Sequence, residues 1–571
     1  MDAARSSPKL RTLISIANLL LLGTLLSAQS NLPSQPSLDA RVEQLAKEER
    51  WADIVSLTQA VASRSADVEY YCGLALAQLG ALDSARKTFS QAIKVYPHDK
   101  RFPAELAGIE FKQKNYSRTA FWLRRALRLD PADPYANEFL ATTYFLQGNL
   151  DAALRYWNRV HKPQVKGVRL NPRPQVDSVL LDHAFAFAPA STLKLTELWT
   201  TEARVQALGI FPIYKFELSP REYGTFDVSF NSVEQNGLGS NKWQALLSFF
   251  RGAFQQTVYP EYFNIANSST NFVSLARWDA QRRRGFASLS GPIRRDPKWR
   301  YQVNFDFRNE NWIIRDSPGS NGAISGAFNF RKEGLSASVN SIPSWRWQWQ
   351  SALEFVHRDF RDVLAGPAVS SMSVPDGPEL KYFAQAGYEL IRAPERGLAT
   401  TAHVRSETGR LLSGSQDVFM KLEADAQLRW LPQQRGSDYE TTAQFSYATS
   451  FGDLPIDEQF MLGLDPDNNL ELRGHIGTQD GRKGNSPLAR SFFLTSAQTD
   501  KILYSNGLIT LRLGPFLDTA KVIDSDYVYQ QQKWLFDVGV QAKISVLGVG
   551  FAVSYGKDLR SGTNAIYVSA R

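Results

Sequence analysis

The sequence predicts a multidomain protein in which an all-α solenoid and a small α+β domain precede an antiparallel transmembrane β-barrel. Three observations support this prediction. Small and aromatic residues recur with a period of 34 over residues 66–167, a strand, helix and hairpin pattern follows, and apolar and polar residues alternate from about residue 237 onward. With 571 residues, the chain is long enough for several domains.

The first 30 residues have the features of a secretory signal. Arg5, Lys9 and Arg11 give a basic start, residues 13–26 are mostly apolar, and small residues surround positions 28–30. Because an ordinary transmembrane helix needs ~20 apolar residues, we expect a signal peptide at 1–30, with a membrane anchor as the alternative. No later segment is a candidate transmembrane helix, so membrane insertion would have to use strands.

Charge and composition argue against several function classes. The 65 basic and 57 acidic residues are mixed along the chain, without the long basic run that would favour nucleic-acid binding. The six histidines and the single cysteine, Cys72, show no metal-ligand spacing, and no phosphate-loop, zinc-protease or nucleophile-elbow motif is present. We therefore predict no enzymatic activity, no cofactor, no metal and no nucleic-acid partner.

The helical repeats resemble the tetratricopeptide family, and we assign them to residues 31–167, with a weaker first unit around Trp51. Pro97 and Pro131 close two successive units. The predicted repeat-packing residues are Gly73, Ala85, Phe89, Ala107, Ala126, Ala141, Ala153 and Trp157. Small residues let helices approach, aromatic residues fill the gaps, and each unit buries its apolar face by stacking. The resemblance implies a concave surface for a protein segment, and a rigid spacer is the alternative.

Residues 168–236 are predicted to form the small α+β domain. A Pro-broken linker at 168–175 leads to a strand over Val179 to Phe187 and a helix that begins near Leu195 and ends at Gly209. Alternating residues on both sides of a turn at 219–224 then predict a hairpin. The pattern resembles a polypeptide-transport-associated (POTRA) domain, and a generic small α+β domain is the alternative.

Residues 237–571 are predicted to form an outer-membrane barrel. The clearest strand has an apolar face from Val418 to Trp430, and its other face includes Lys421, Glu423 and Asp425. A tilted membrane strand needs ~9–11 residues that are apolar outward and polar inward. A closed barrel satisfies every backbone hydrogen bond, as a lipid environment requires. The length of this region suits about 16 strands, within a range of about 14–18.

Two short segments of the barrel region carry a more specific resemblance. They are Leu472-Arg473-Gly474-His475 and, 45 residues after Arg473, Phe516-Leu517-Asp518. With Leu462-Gly463 and the final strands, they resemble the superfamily of outer-membrane protein-assembly and two-partner-secretion barrels, also called bacterial surface antigen proteins. His475 stands where that family usually has an aromatic residue.

The resemblance implies that a long loop folds back into the barrel and that Arg473 meets Asp518 on the inner wall. Strand parity agrees, because Asp518 has the same parity as Arg512 and the opposite parity to Ile509 and Leu513. Gly474 is expected to permit a tight turn after the arginine. We call Arg473, Gly474 and Asp518 the lumen-loop latch.

The same resemblance implies an outer-membrane barrel that translocates or inserts client proteins. Its repeats and POTRA-like domain would lie in the periplasm and dock unfolded clients, an exoprotein, or periplasmic and lipoprotein partners, while outer-membrane lipid surrounds the barrel. Two alternatives stay open at this point. One is an exopolysaccharide-export porin with a tetratricopeptide scaffold, and the other is a purely structural scaffold.

Overall fold

The computed structural model describes residues 37–315, 323–367, 369, 374–412, 418–433, 438–525 and 534–570. The predicted signal peptide at 1–30 lies outside these residues. The chain divides into two compact units, Met1–Gln113 and Lys114–Arg571. None of the helices in the described ranges combines the length and the apolar character that crossing a bilayer requires.

The first unit consists of packed helices. In its described part they are α1 Leu38–Lys47, α2 Trp51–Gln59, α3 Ala66–Gln78, α4 Leu82–Val95 and α5 Arg101–Lys112. Gly73 lies directly under the ring of Phe89, so that a Cβ at this position would overlap the aromatic carbons. Ala85, Phe89 and Ala107 are fully buried, and Cys72 is a buried thiol that accepts from the Thr58 hydroxyl at 3.3 Å.

The second unit begins with three more helices, α6 Tyr116–Leu129, α7 Pro134–Leu146 and α8 Leu150–Trp157. Ala126, Ala141 and Ala153 are buried where these helices pack on one another. Trp157 contacts Phe145, with ring centroids 5.3 Å apart, and also Phe226 of the following domain, at 5.6 Å. The last repeat therefore packs on the α+β domain through this tryptophan.

The α+β domain is a three-stranded sheet with two helices. Its elements are β1 Gln164–Asn171, α9 Ser178–Ala184, α10 Leu195–Leu208, β2 Ile213–Pro220 and β3 Thr225–Val233. The strand order is β1-β3-β2, with β1 parallel to β3 and β2 antiparallel to it, so β1 and β2 are the edges. The predicted helix and hairpin are confirmed, and Gly209 ends α10 in the left-handed region, at φ 68°.

Two details of this domain were predicted wrongly. The segment predicted as a strand, Val179 to Phe187, is mostly the helix α9. Asp177 caps this helix by accepting from the Val179 N–H at 2.9 Å, and Leu180, Leu181 and Ala184 are buried on one face. The predicted linker at 168–175 is also wrong in part. Its first residues complete β1, which begins at Gln164 and pairs with β3.

The rest of the chain is a closed antiparallel barrel. One more helix, α11 Lys242–Phe250, precedes it. The wall strands before the long loop are β4 Thr257–Val258, β5 Glu261–Ile265, β6 Thr270–Trp278, β7 Arg282–Ile293, β8 Asp296–Arg315, β9 Ile324–Ser341, β10 Trp347–Leu364, β11 Gly377–Ala393, β12 Leu398–Leu411, β13 Val418–Trp430 and β14 Tyr439–Gly452. The short strands of the loop are β15 Phe460–Met461, β16 Thr478–Gln479, β17 Arg482–Lys483 and β18 Leu488–Ala489. After it come β19 Ser491–Ser505, β20 Ile509–Asp524, β21 Trp534–Val546, β22 Val549–Asp558 and β23 Asn564–Ala570.

The strands alternate between an apolar outer face and a polar inner face, as predicted. On β20 the outer residues Leu513 and Leu517 are exposed, whereas Phe516 and Asp518 are buried inside. The register of β20 with β21 runs without a shift from Ile509 to Lys521, so no bulge reverses this parity. The alternating segment of residues 418–430 coincides with β13.

The start of the barrel differs from the prediction, which had strands without an intervening helix from residue 237 onward. β4 and β5 both pair with β6 and share one position in the wall, which gives fifteen positions among the described residues. Beside this position the chain is helical. Gly237 exchanges hydrogen bonds with Phe263, and the Tyr259 N–H donates to the Phe249 carbonyl at 2.9 Å, so α11 runs alongside β4 and β5.

Candidate functional site

The loop between β14 and β19, residues 453–490, folds back and contacts the inner wall; we call it the lumen loop. The antiparallel pair of β15 and β18 brings its two ends together. Phe460, Leu462 and Leu472 of the loop pack against Phe492 and Leu494 of the wall in a buried apolar cluster. Hydrophobic packing therefore positions the loop, and its charged residues are then presented to particular strands.

The structure brings Arg473 and Asp518 together in a fully buried ion pair. The Arg473 Nε and Nη2 atoms donate to the two Asp518 oxygens at 2.8 and 2.7 Å, and the Arg473 backbone N–H donates to the same carboxylate at 3.0 Å. On β19, Gln498 accepts from the Arg473 Nη1 atom, and Ser496 accepts a second hydrogen bond from Nη2. The guanidinium carbon lies 3.7 Å from the centre of the Phe516 ring. Each guanidinium nitrogen of Arg473 thus donates at least one hydrogen bond to the wall.

Gly474 is required for close approach. Arg473 and Gly474 are the central residues of a turn in which the His475 N–H donates to the Leu472 carbonyl at 3.0 Å. The expected tight turn is present, but Gly474 does not have the positive φ that only glycine adopts readily. Its N–H donates to Asp537, and a Cβ here would lie 2.5 Å from the Asp537 carboxyl carbon. On the wall, Gly556 has no room for a Cβ because the Arg473 carbonyl lies against it.

His475 extends this contact to two further strands. Its Nδ1 atom lies 3.1 Å from Asp537 on β21, and its Nε2 atom lies 3.7 Å from Asp558 on β22. Histidine and carboxylates can bind a metal ion, and these three groups lie within 4.8 Å of one another. However, the two carboxylates face opposite nitrogens of the ring, so each nitrogen already has a carboxylate beside it. We interpret His475 as a polar bridge between loop and wall.

A second group of loop charges contacts another part of the wall. Asp467 receives two hydrogen bonds from Arg277, at 2.6 and 3.2 Å, and one from Arg284 at 2.7 Å. Asp465 accepts from Arg282 at 2.9 Å. These arginines lie on β6 and β7, and all of these side chains are largely buried.

A third group lies at the start of the loop. The Arg358 guanidinium on β10 donates to Asp457 at 2.7 Å and to Glu458 at 3.2 Å. Glu458 also pairs with Lys381 on β11 and accepts from Lys421 on β13 at 3.3 Å. Like the other two groups, this one pairs a loop charge with an opposite charge on an inward-facing strand position.

The three groups are distributed around the barrel. In strand order, the wall residues lie on β10 to β13, on β19 to β22, and on β6 and β7. The loop is therefore held from three separate sectors. Removing one partner of a buried ion pair typically costs about 3–5 kcal/mol, because the other charge is left unpaired.

The sequence resemblance identified only the arginine side of this network. The acidic residues Asp457, Glu458, Asp465 and Asp467 and their basic partners were not predicted as site residues. The sequence does contain a signal for these ion pairs, because the loop is rich in acidic residues while Arg358, Lys381 and Lys421 occupy inward-facing strand positions. However, each pair joins residues that are far apart in sequence, and parity alone does not select the partner.

A second candidate site is a cavity of about 990 Å³ outside the barrel. We call it the repeat cleft; it is lined by residues of α6 to α8, by the edge strand β2 and by the turn between β11 and β12. From β2 it receives Tyr214, Lys215 and Phe216, and from α6 it receives Arg124 and Arg128. The cleft thus combines a free sheet edge with basic and aromatic side chains.

Polar contacts hold the elements around the repeat cleft together. Arg155 of α8 donates to Glu395 at 2.9 Å, and Arg392 of β11 donates to Glu202 of α10 at 3.0 Å. Asp151 accepts from the Trp199 indole at 2.8 Å. Burial raises the pKa of Glu202 to about 7, and the nearby Asp151 carboxylate contributes to this shift. Burial likewise raises the pKa of Asp151.

Comparisons with known proteins bear on both the repeats and the barrel. Residues 72–134 and 122–167 match the family model described as tetratricopeptide repeat, which confirms the predicted repeats in this range. No curated protein matches the chain.

Solved structures similar to the chain include BamA from Haemophilus ducreyi lacking POTRA domains 1-3. That match has 13% identity, covers 71% of this chain and 83% of that chain, and has a TM-score of 0.42. CdiB from Escherichia coli has 12% identity, 72% and 76% coverage and a TM-score of 0.49. CdiB from Acinetobacter baumannii has 9% identity, 71% and 73% coverage and a TM-score of 0.44.

Proposed function

We propose that this protein is an outer-membrane barrel that translocates or inserts client proteins. In this proposal the repeats and the POTRA-like domain lie in the periplasm, where they dock the client or a partner protein. The barrel is the route through or into the membrane. No covalent chemistry is needed for such a function.

The observation that carries the proposal is the lumen loop with its buried arginine. A loop that is held by ion pairs in three sectors closes the lumen at rest and is still removable, because side chains make most of its attachments and only one residue pair, Lys483 with Trp312, joins it to the strand ladder in the described structure. Within the sequence Leu472-Arg473-Gly474-His475, Arg473 forms a fully buried ion pair with Asp518 on the wall. A closed lumen with a removable loop suits the passage or insertion of a large client better than a permanently open pore.

The repeat cleft supports the docking part of the proposal. β2 is an edge of its sheet, and an unpaired edge can add a strand from another chain. Tyr214 offers an apolar contact beside this edge, while Arg124 and Arg128 offer positive charge. We therefore propose that an extended client segment binds in the cleft as an additional strand.

The latch can be tested in the bacterium that produces this protein. We expect Arg473→Ala, Asp518→Ala and the double variant to deplete the same small set of outer-membrane or secreted proteins. Because both residues belong to one ion pair, the double variant should be no worse than the single variants. Arg512→Ala is the matched control. Arg512 also faces inward from β20, the strand of Asp518, but it pairs with Glu440 and not with the loop.

Comparison of the outer-membrane and secreted proteomes is the measurement. Unchanged proteomes in the latch variants, at normal barrel levels, would contradict the proposal. Loss of a surface polysaccharide with an unchanged proteome would instead support the exopolysaccharide porin. A photo-reactive residue in place of Lys215 tests docking separately, because a client in the cleft should cross-link there and not to the same residue in place of Lys166 on β1.

A further inference from the structure

Helix α11 has the reverse polarity of a helix on a water-exposed surface. Its buried residues are Gln244 and Ser248, whereas Trp243, Leu246 and Phe250 are 72%, 50% and 51% exposed. A surface helix in water turns its apolar stripe to the protein and its polar face outward. The outer face of α11 is therefore suited to an apolar medium, which the membrane location in the proposed function supplies.

Polar contacts attach the inner face of α11 to the first wall strands. The Ser248 hydroxyl donates to Glu261 on β5 at 2.6 Å, and Arg251, just after the helix, donates to the same carboxylate at 2.7 Å. Beyond the helix, the Gln255 side chain donates to the Val568 carbonyl on β23 at 3.0 Å. The helix is thus held beside the junction of the first and last strands, with its apolar face uncovered in the described structure.

A cavity of about 850 Å³ opens between α11 and β5. Its apolar part is lined by Leu246, Phe249 and Phe272, and one end is lined by Asn241 and Lys242. This volume lies in the ~300–1,000 Å³ range of ligand pockets. Phe272 and Leu246 are themselves exposed, so the apolar part is continuous with the outer apolar surface of the barrel.

We propose that this cavity binds one phospholipid with an anionic headgroup. The acyl chain occupies the apolar part between α11 and β5, and the phosphate lies at Lys242. Lys242 is exposed and has no salt-bridge partner among the residues that the structure describes, so its charge is available to the headgroup. The proposal rests on the membrane location in the proposed function and is independent of client transport.

The test uses the full-length protein in nanodiscs of phosphatidylethanolamine with a minority of phosphatidylglycerol. A photo-reactive amino acid replaces Leu246, and lipid adducts are identified by mass spectrometry after irradiation. We expect phosphatidylglycerol to be enriched in the adducts over its share of the bilayer. Lys242→Gln should reduce this enrichment about fivefold, the effect of one lysine near an anionic surface. Ala245→Phe, which fills the cavity without a change of charge, should reduce the total yield of adducts.

The control places the same photo-reactive residue at Leu353, an exposed apolar position on β10. It should label lipids in proportion to the bilayer and be insensitive to both variants. Adducts at Leu246 that simply follow the bilayer composition, or that ignore both variants, overturn the lipid site. Cross-links at Leu246 to a protein strand in cells in place of lipid also overturn it. If Leu353 itself gives no lipid adduct, the membrane location fails, and with it the proposed function.

Discussion

Gly556 shows at the scale of one residue how closely the lumen loop approaches the wall. A Cβ at Gly556 would lie 2.2 Å from the Arg473 carbonyl oxygen and 3.0 Å from the Gly474 nitrogen, so the glycine makes room for both. We predict that Gly556→Ala displaces the turn at Arg473. Forcing a methyl group into a packed site costs about 1–3 kcal/mol, so local exchange of the loop amides should accelerate about 5- to 150-fold.

Hydrogen exchange of a peptide that spans residues 470–477, followed by mass spectrometry, measures this effect. Gly285→Ala is the control, because a Cβ at Gly285 on β7 would meet nothing within 4 Å. Equal exchange in the two variants would mean that the turn can shift without loss of its contacts.

The residues of the latch were predictable for two reasons that act together. The resemblance supplied the pairing of Arg473 with Asp518, and period-two alternation indicated that Asp518 faces inward. For His475 the sequence shows only a departure from the family pattern. Its contacts with Asp537 and Asp558 could not be inferred, because they depend on the register of β20, β21 and β22 and on the depth of the loop.

At the scale of elements, the sequence predicted those with a strong local pattern. α10 has a regular apolar face and a glycine at its end, and β13 has seven outward-facing apolar residues. The predicted bounds of both elements therefore agree closely with the structure. α9 is short, and its apolar residues also fit a strand. α11 was not predicted. Its apolar face points away from the protein and its polar face points toward it, whereas surface helices are usually identified by an apolar face toward the protein.

The contact between α8, α10 and the end of β11 is predicted to depend on pH. The pKa of Glu202 is raised in the folded protein from 4.5 to about 7, since burial and the Asp151 charge disfavour the carboxylate more than Arg392 favours it. A raised folded-state pKa contributes stability below pH 4.5, and this contribution is lost as the pH rises through about 7. The contact should therefore be tightest in acid and loosen by up to about tenfold per pH unit in the titrating range.

Glu202→Gln should remove most of this dependence, because a neutral amide can still accept from Arg392. The measurement is the protection of residues 195–208 in hydrogen exchange between pH 5 and pH 8, normalised to intrinsic exchange rates. Other charged groups at the contact include Asp151 and Arg155 on α8, Glu389 and Arg392 on β11, and Glu395 just after β11, and Asp151 titrates in the same direction as Glu202. A profile as steep in the variant as in the wild type would assign the dependence to one of these groups and not to Glu202.

At the scale of the whole molecule, the proposed function makes the lumen loop, with its three sectors of ion pairs, a cooperative closure. The loop residues Asp467, Glu458 and Arg473 each pair with a different part of the wall. Loss of one sector costs about 3–5 kcal/mol, but the loop keeps its other two attachments and its apolar contacts. The barrel should consequently stay closed when any single sector is neutralised and open when all three are.

Single-channel conductance in planar bilayers tests this closure. One variant neutralises each sector: Asp465→Asn with Asp467→Asn, Asp457→Asn with Glu458→Gln, and Asp518→Asn. We expect the wild type and each of these variants to show low conductance with rare openings. The triple variant, which combines all three sectors, should show long openings of severalfold higher conductance, because the fifteen described strand positions come close to the ~16 strands at which an emptied barrel leaves an aqueous channel. A triple variant that folds and stays closed would show that the apolar cluster around Phe460 and Leu472 holds the loop without help from its charges. In that case the latch would act on the position of the loop and not on its release.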